Sequence, residues 1–220
     1  MHHPDRAHDR AAARHALVGP AELWEMKRRF QIGFLRAAGL LPGHRLLDLG
    51  CGTLRGGIPL IDYLDVGHYC GVEVRSEVLD EGQRELRESG LEAKAPQLVH
   101  CGHLDRLDLG MTFDYVWAFA VLIHMDNAIL HAALAAVSRH LGDDGFFYAT
   151  VNVGEQAPGT WQGFPVVHRS ADFYADAFRR HGLRFAHLGP LTDHGHVDPR
   201  LPVAQQAHQR MLRGTRATGG

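Results

Sequence analysis

Leu46-Leu47-Asp48-Leu49-Gly50-Cys51-Gly52-Thr53-Leu54-Arg55-Gly56-Gly57 is the stretch that decides the fold of this chain. An apolar run suited to a buried strand carries one small acid and then enters a glycine-rich turn. Ile58-Pro59-Leu60-Ile61-Asp62-Tyr63-Leu64 follows with helical spacing. A strand, a tight glycine turn and a helix in succession aim main-chain N–H groups at a nucleotide-like ligand. Gly50 and Gly52 permit positive φ and carry no Cβ to hold a ligand off. A dinucleotide fingerprint wants glycine three residues after Gly52, and Arg55 stands there.

Working outward, His68-Tyr69-Cys70-Gly71-Val72-Glu73-Val74 is β-prone and closes on an acid. Glu73 lies 23 positions after Gly50, close to the roughly 20 that separate a glycine turn from a ribose-binding acid. A carboxylate there can accept hydrogen bonds from both ribose hydroxyls. Gln97-Leu98-Val99-His100 reads as a third strand and leads into Cys101-Gly102-His103-Leu104-Asp105. Phe113-Asp114-Tyr115-Val116-Trp117-Ala118 reads as a fourth, running into Phe119-Ala120-Val121-Leu122-Ile123-His124-Met125. Gly145-Phe146-Phe147-Tyr148-Ala149-Thr150-Val151 supplies a fifth after the turn-rich residues 141–144. Residues 183–188 read as a sixth strand and 205–212 as a weak seventh. Helices are expected from Pro20 to Ala37, over 76–89 with Ser76 as cap, over 127–140, and over 170–181 with Ser170 and Asp172 in the first turn and Gly182 at the stop. Strands alternating with helices predict a mostly parallel sheet covered on both faces.

Asp48-Leu49-Gly50-Cys51-Gly52-Thr53 resembles motif I of the class I S-adenosylmethionine-dependent methyltransferases, in which D/E-x-G-x-G follows the first strand. Leu54-Arg55-Gly56-Gly57 is similar to a branch of that superfamily with leucine-arginine-glycine-glycine after motif I. Phe113-Asp114-Tyr115-Val116, the apolar stretch behind it and His124 match a further family pattern. The resemblance covers residues 30–151 firmly. It implies an α/β, Rossmann-like doubly wound, mostly parallel seven-stranded sheet with helices on both faces, and S-adenosyl-L-methionine as cofactor. The implied cofactor-binding residues are Asp48, Gly50, Cys51, Gly52, Thr53, Arg55, Glu73, Val74, His103, Leu104, Ala118 and Phe119. Asp48 either accepts from the cofactor amino group or fixes the amides of the turn. Arg55 either faces the methionine carboxylate or braces the first helix. Family members usually place glycine-aspartate against the adenine amine. His103 occupies the aspartate position, so that contact falls to His103, the Leu104 backbone or Asp105.

Methyl transfer to an alcohol or phenol calls for a base, and histidine titrates in the right range. His124 follows the fourth strand on the cofactor side and is the first candidate, with packing beside the cofactor as the other reading. His168 is the second candidate. It ends a long loop, residues 152–169, whose Trp161 and Phe164 can stack on an acceptor and whose glycines and prolines suit a mobile lid. In this superfamily a leading helix often lies over the cofactor, which would bring Gln31 to the methionine end. Among the 17 histidines, His194 and His196 alternate toward Asp198, but no second ligand cluster at a diagnostic spacing accompanies them, and no metal site is expected.

A chain of 220 residues with 45% hydrophobic and 22% charged side chains suits one globular domain with a real core. We expect a flexible segment over 1–18, a single methyltransferase domain over 19–213 and a disordered tail over 214–220. A net charge of -2 gives no global attraction to nucleic acid, and Asn152-Val153 replaces the proline-proline-aromatic sequence used on flipped bases. Three cysteines make no disulfide framework, no apolar run reaches a membrane span, and the N-terminus is no signal peptide. The cysteine usage points to the cytoplasm, and lysine at Lys27 and Lys94 alone, with arginine elsewhere, to a bacterial source; we expect a protein of secondary metabolism, a monomer or homodimer. Its expected partner is a small-molecule acceptor, most simply a hydroxyl of a sugar or secondary metabolite. The alternatives are a noncatalytic S-adenosylmethionine-binding protein and, disfavoured by Arg55, an NAD-binding oxidoreductase.

Overall fold

The computed structural model describes residues 14–217. Seven strands form one sheet: β1 (Leu46–Leu49), β2 (Tyr69–Glu73), β3 (Gln97–His100), β4 (Phe113–Ala118), β5 (Leu141–Asn152), β8 (Leu183–Pro190) and β9 (Gln209–Arg216). Two short strands, β6 (Gly159–Trp161) and β7 (Phe164–Val166), pair apart from it. The sheet order is β3-β2-β1-β4-β5-β9-β8. β1 to β5 run parallel, and β9 is antiparallel to both of its neighbours.

Side-chain alternation along the strands divides the core in two. Leu47, Leu49, Val72, Val116, Ala118, Phe147 and Ala149 face one layer, packed by Leu130, Leu134 and Val137 of α4 (Asn127–His140) and Ala177 and Phe178 of α5 (Ala171–Arg180). Leu46, Tyr69, Tyr115, Trp117 and Tyr148 face the other. There they meet α1 (Trp24–Ala37) through Phe30 and Leu35, α2 (Gly57–Tyr63) through Ile58, Leu60 and Ile61, and α3 (Ser76–Glu88) through Leu79 and Leu86. Burial on both faces is why β1 reads Leu-Leu-Asp-Leu without polar alternation. No helix among the described residues is long and apolar enough to cross a membrane.

Several expected boundaries shift. The α3 cap position is Arg75, and Ser76 is already helical. By contrast, α4 and α5 are capped by side chains, Asp126 accepting from Ile129 N and Ser170 from Phe173 N. The seventh strand starts later than its apolar alternation suggests, because residues 203–206 form a 3-10 turn. Residues 214–216, expected in a loose tail, complete β9: Gly214 pairs with Phe147 and Phe185, and Arg216 with Leu183. Residues 14–18, expected to be flexible, are tied down as well. Arg14 is buried and ion-paired with Glu81, Glu85 and Glu88 along one face of α3. The loop 152–169 contains the β6–β7 hairpin. Residues 1–13 and 218–220 lie outside the described residues.

Arg216 also donates to Leu141 O at 2.8 Å and Ser138 O at 3.0 Å. Truncation after Arg213 should therefore lower unfolding stability by about 2 kcal/mol or more, since several main-chain and guanidinium bonds near 1 kcal/mol each are lost together. A urea midpoint unchanged from the full chain would show that residues 214–216 hold nothing.

Candidate active site

The turn after β1 is built around main-chain donors. Gly50 N and Cys51 N donate to Val72 O at 2.8 and 3.0 Å, which pins the turn to β2. Gly50 has φ +78° and Gly52 φ +58°; a Cβ on Gly50 would sit 2.4 Å from Val121 Cγ2. Only glycine fits there. Glu73, 5% exposed at the end of β2, reaches across. Its Oε2 accepts from Gly52 N at 3.0 Å, and its Oε1 from Val74 N at 3.0 Å and Arg75 N at 3.1 Å. A carboxylate has about four acceptor positions, so one remains beside the cavity that Glu73 lines.

That cavity, about 730 Å³, opens at the carboxyl ends of β1, β2 and β4, where an open α/β sheet binds its ligands. Asp48, Gly50, Cys51 and Gly52 form its floor. Glu73, Val74, His103, Leu104 and Asp105 form one wall, and Phe119, Ala120, Val121, Ile123 and His124 the opposite one. Val18, Gly19, Lys27 and Gln31 lie on a third side, and the hairpin adds Trp161, Phe164 and Val166. Ten of the twelve residues expected around the cofactor therefore share one cavity.

Two do not. Thr53 is fully buried and absent from the lining, its hydroxyl without a partner among the described residues. The residue after Gly52 turns away from the cavity as the chain heads for α2. Ala118 points into the α4 layer, because strand alternation gives the cavity to Phe119 instead. His168 is also elsewhere: its ring is 5.6 Å from that of His208, in a shallow depression with Asn127, Gln156 and Phe173. It is withdrawn as a base.

Three charged groups, Asp48, Arg55 and Lys27, line the cavity. Tyr69 Oη donates to Asp48 Oδ2 at 2.7 Å, yet burial pushes the Asp48 carboxyl up to about 7. Arg55 is 8% exposed; its Nη1 donates to Val18 O at 2.8 Å, and its Nε has no partner among the described residues. Burial brings its guanidinium down to about 10. Lys27, with burial as the main cause and the Arg55 charge as the second, falls to about 8. The two cations converge: a Cβ on Gly19 would lie 3.6 Å from Arg55 Nη1 and 3.7 Å from Lys27 Nζ. Gln31, one turn beyond Lys27, accepts from Trp117 Nε1 at 2.9 Å.

His124 is half-buried, stacked on Trp161 at 5.3 Å between centroids. Its Nδ1 lies 2.9 Å from Pro165 O. A carbonyl only accepts, so Nδ1 carries the proton and Nε2 is the free acceptor. Burial lowers its pKa, which keeps the ring neutral near pH 7. His194 and His196 do not line the cavity. His196 is 4% exposed against the rings of Phe30 and Phe119, His194 bonds Leu188 O, and Asp198 pairs with Arg200. No group of three or more His, Cys, Asp or Glu among the described residues is placed to hold a metal ion.

Sequence reading missed Lys27, Arg75 and Thr150 as site residues. Lys27 is one of two lysines in a chain that otherwise uses arginine, a signal available but unspecific. Thr150 Oγ1 accepts from Ala120 N at 2.7 Å and holds Ala120 at φ +56°, just past β4. Nothing local to either residue announces that bond.

Residues 47–147 match the family model of a methyltransferase domain. An uncharacterized protein of Rickettsia prowazekii is 25% identical over 138 residues, 63% of this chain and 24% of its own length. An O-methyltransferase of Aspergillus nomiae is 29% identical over 99 residues, 45% of this chain and 42% of its own. This chain thus spans less than half the length of either relative. Among solved structures, a glycopeptide N-methyltransferase complexed with S-adenosyl-L-homocysteine aligns with a TM-score of 0.65 at 15% identity, covering 86% of this chain and 90% of that one. Magnesium protoporphyrin IX methyltransferase from Synechocystis, with bound S-adenosylmethionine, aligns at 0.66 and 18% identity, covering 96% and 91%. A methyltransferase from Clostridium acetobutylicum aligns at 0.66 and 14% identity, covering 97% and 98%. The chain shares its fold with these methyltransferase structures, and the stretch 47–147 is similar to a methyltransferase domain.

The buried charges make a pH prediction. A carboxyl raised from its ordinary 3.8 to about 7 favours the folded state most below pH 4, and that contribution is lost as pH rises through 7. His196, lowered to about 4, works oppositely: its contribution is present above 6.5 and lost as pH falls toward 4. Asp48→Asn should therefore gain stability relative to the parent as pH rises from 4 to 7.5, by urea unfolding at a series of pH values. A parallel pair of curves would show that Asp48 is not held protonated by the fold.

Proposed function

We propose that this chain transfers the methyl group of S-adenosylmethionine to a hydroxyl of a small molecule, such as a sugar or secondary metabolite. The observation that carries the reading is the Glu73 carboxylate bonded to Gly52 N inside the cavity, with an acceptor position left over. The residues present suit the cofactor on one further count. The orphaned Arg55 Nε and the neighbouring Lys27 offer positive charge with no carboxylate in hydrogen-bond contact among the described residues.

When bound, the cofactor supplies a methyl group already activated on a sulfonium, so positioning accounts for much of the rate. Glu73 would accept from a ribose hydroxyl at its remaining position, Val74 and Leu104 would pack the adenine, and His103 or Asp105 would meet its amine. Lys27 and Arg55 would face the methionine carboxylate, and Asp48 the amino group. The neutral His124, its Nδ1 committed to Pro165 O, keeps Nε2 ready to take the proton of an acceptor hydroxyl. Trp161 and Phe164 exclude water beside it and offer ring faces to the acceptor. Three free thiols, two of them buried, fit a reducing compartment such as the cytoplasm.

Glu73→Ala should weaken S-adenosylhomocysteine binding by about 1–3 kcal/mol, read by calorimetry, as a charge-assisted ribose bond vanishes. Unchanged affinity in a folded variant would take Glu73 out of the site. With an acceptor in hand, His124→Ala should cut kcat by about 10²–10⁴ while leaving cofactor affinity within a few-fold, the range of a lost general base. A preserved kcat would leave His124 with packing alone.

A further inference from the structure

Residues 14–19 form a strap leading into α1, and they meet the β6–β7 hairpin over the cavity although the two lie far apart in sequence. Three successive strap carbonyls accept from three side chains, two from the cavity lining and one from the hairpin tip. Ala16 O accepts from Gln162 Nε2 at 2.7 Å, Leu17 O from Arg75 Nη2 at 3.3 Å, and Val18 O from Arg55 Nη1 at 2.8 Å. The first two donors are joined, since Arg75 Nη1 donates to Gln162 Oε1 at 3.3 Å. The Arg75 guanidinium also lies over the Phe164 ring, 5.4 Å from its centroid, and its Nε is 3.6 Å from Glu73 Oε1. Arg75 thus touches the strap, the hairpin and the acid that holds the glycine turn.

The backbone at the hairpin tip fits this use. Gln162 has φ +48° and Gly163 φ +82°, the pair of left-handed residues that a two-residue turn requires. Asparagine or glycine would occupy the first position at less cost. A glutamine there aims a long amide at the strap. The strap in turn is anchored at its start by Arg14 on α3, and Val18, Gly19 and Pro20 line the cavity at its end.

We infer that Arg75 and Gln162 are positioning residues that latch the strap to the hairpin across the cavity, so that the latch must open for each exchange of cofactor. The inference rests on the reading that this cavity holds S-adenosylmethionine. Each latch bond is polar and partly exposed, individually weak, so the latch can open and reclose during turnover. Release of the demethylated cofactor then becomes a step that the protein controls, as with other closing loops.

The test is the kinetics of S-adenosylhomocysteine exchange on the full chain, by stopped-flow binding and by displacement of labelled ligand. Gln162→Gly keeps the turn and removes the amide; Arg75→Met keeps much of the stem and removes the guanidinium. Each should speed dissociation at least fivefold and also speed association, so Kd shifts less than the off-rate. The double variant should add little to either single change, because both remove one latch. In hydrogen exchange, residues 14–20 should lose protection in both variants. Dissociation within twofold of the parent in both, or association slowed rather than accelerated, would overturn the latch, since damage to the site slows binding whereas an open latch quickens it. No binding by the parent chain would instead remove the cofactor reading, and the latch with it.

Discussion

The bond from Gly52 N to Glu73 holds the molecule's functional end together. Two parallel strands, β1 and β2, deliver a glycine turn and an acid to the same end of the sheet, and that contact, with the bonds of Gly50 N and Cys51 N to Val72 O, fixes one against the other. Val74 N and Arg75 N bond its other oxygen, so the carboxylate is buried without being stranded. The start of α3, the Arg75 side chain and the hydrogen bonds that bring in the strap all follow from where Glu73 sits. Because the turn contains glycines that no other residue can replace sterically, its shape is set before any ligand arrives.

Around this pair the protein keeps charges that a folded chain without a ligand does not need. Burying Asp48, Arg55 and Lys27 together is costly, and the carboxyl near 7 and the amine near 8 record that cost. A ligand carrying both an ammonium and a carboxylate would meet opposite charges at both ends. The same cavity is lined on its other side by Ile123, His124, Trp161 and Phe164, so one continuous hollow can serve a charged cofactor and a largely apolar acceptor surface.

Much of this was legible in the sequence because it is local. Leu46 to Gly57 contains its own strand, turn and helix signals, and the 23-residue step to Glu73 is set by one strand-helix-strand unit. His124 was legible because it follows β4 directly. Thr53 and Ala118 failed for the opposite reason: each neighbours a true lining residue, and in a strand or tight turn adjacent side chains point apart. His168 does not line the cavity because, past β7, it enters a separate depression shared with Asn127 and Phe173. The strap, the Lys27–Arg55 convergence and the Thr150 support of Ala120 arise from packing between distant segments, which no periodicity reports. β9 was displaced because the Gln205-Gln206 pair is helical in a 3-10 turn, while Gly214 and Arg216 gain their strand partners only from β5 and β8.

The most direct measurement is a crystal structure of the full chain grown with S-adenosylhomocysteine. Density for the ligand is expected along the Gly50–Gly52 turn, with a ribose hydroxyl on Glu73, the amino-acid end beside Lys27 and Arg55, and the sulfur open toward His124. A ligand bound elsewhere, or a cavity that excludes it while Glu73 keeps only its three main-chain amides, would contradict the assignment of this hollow to the cofactor.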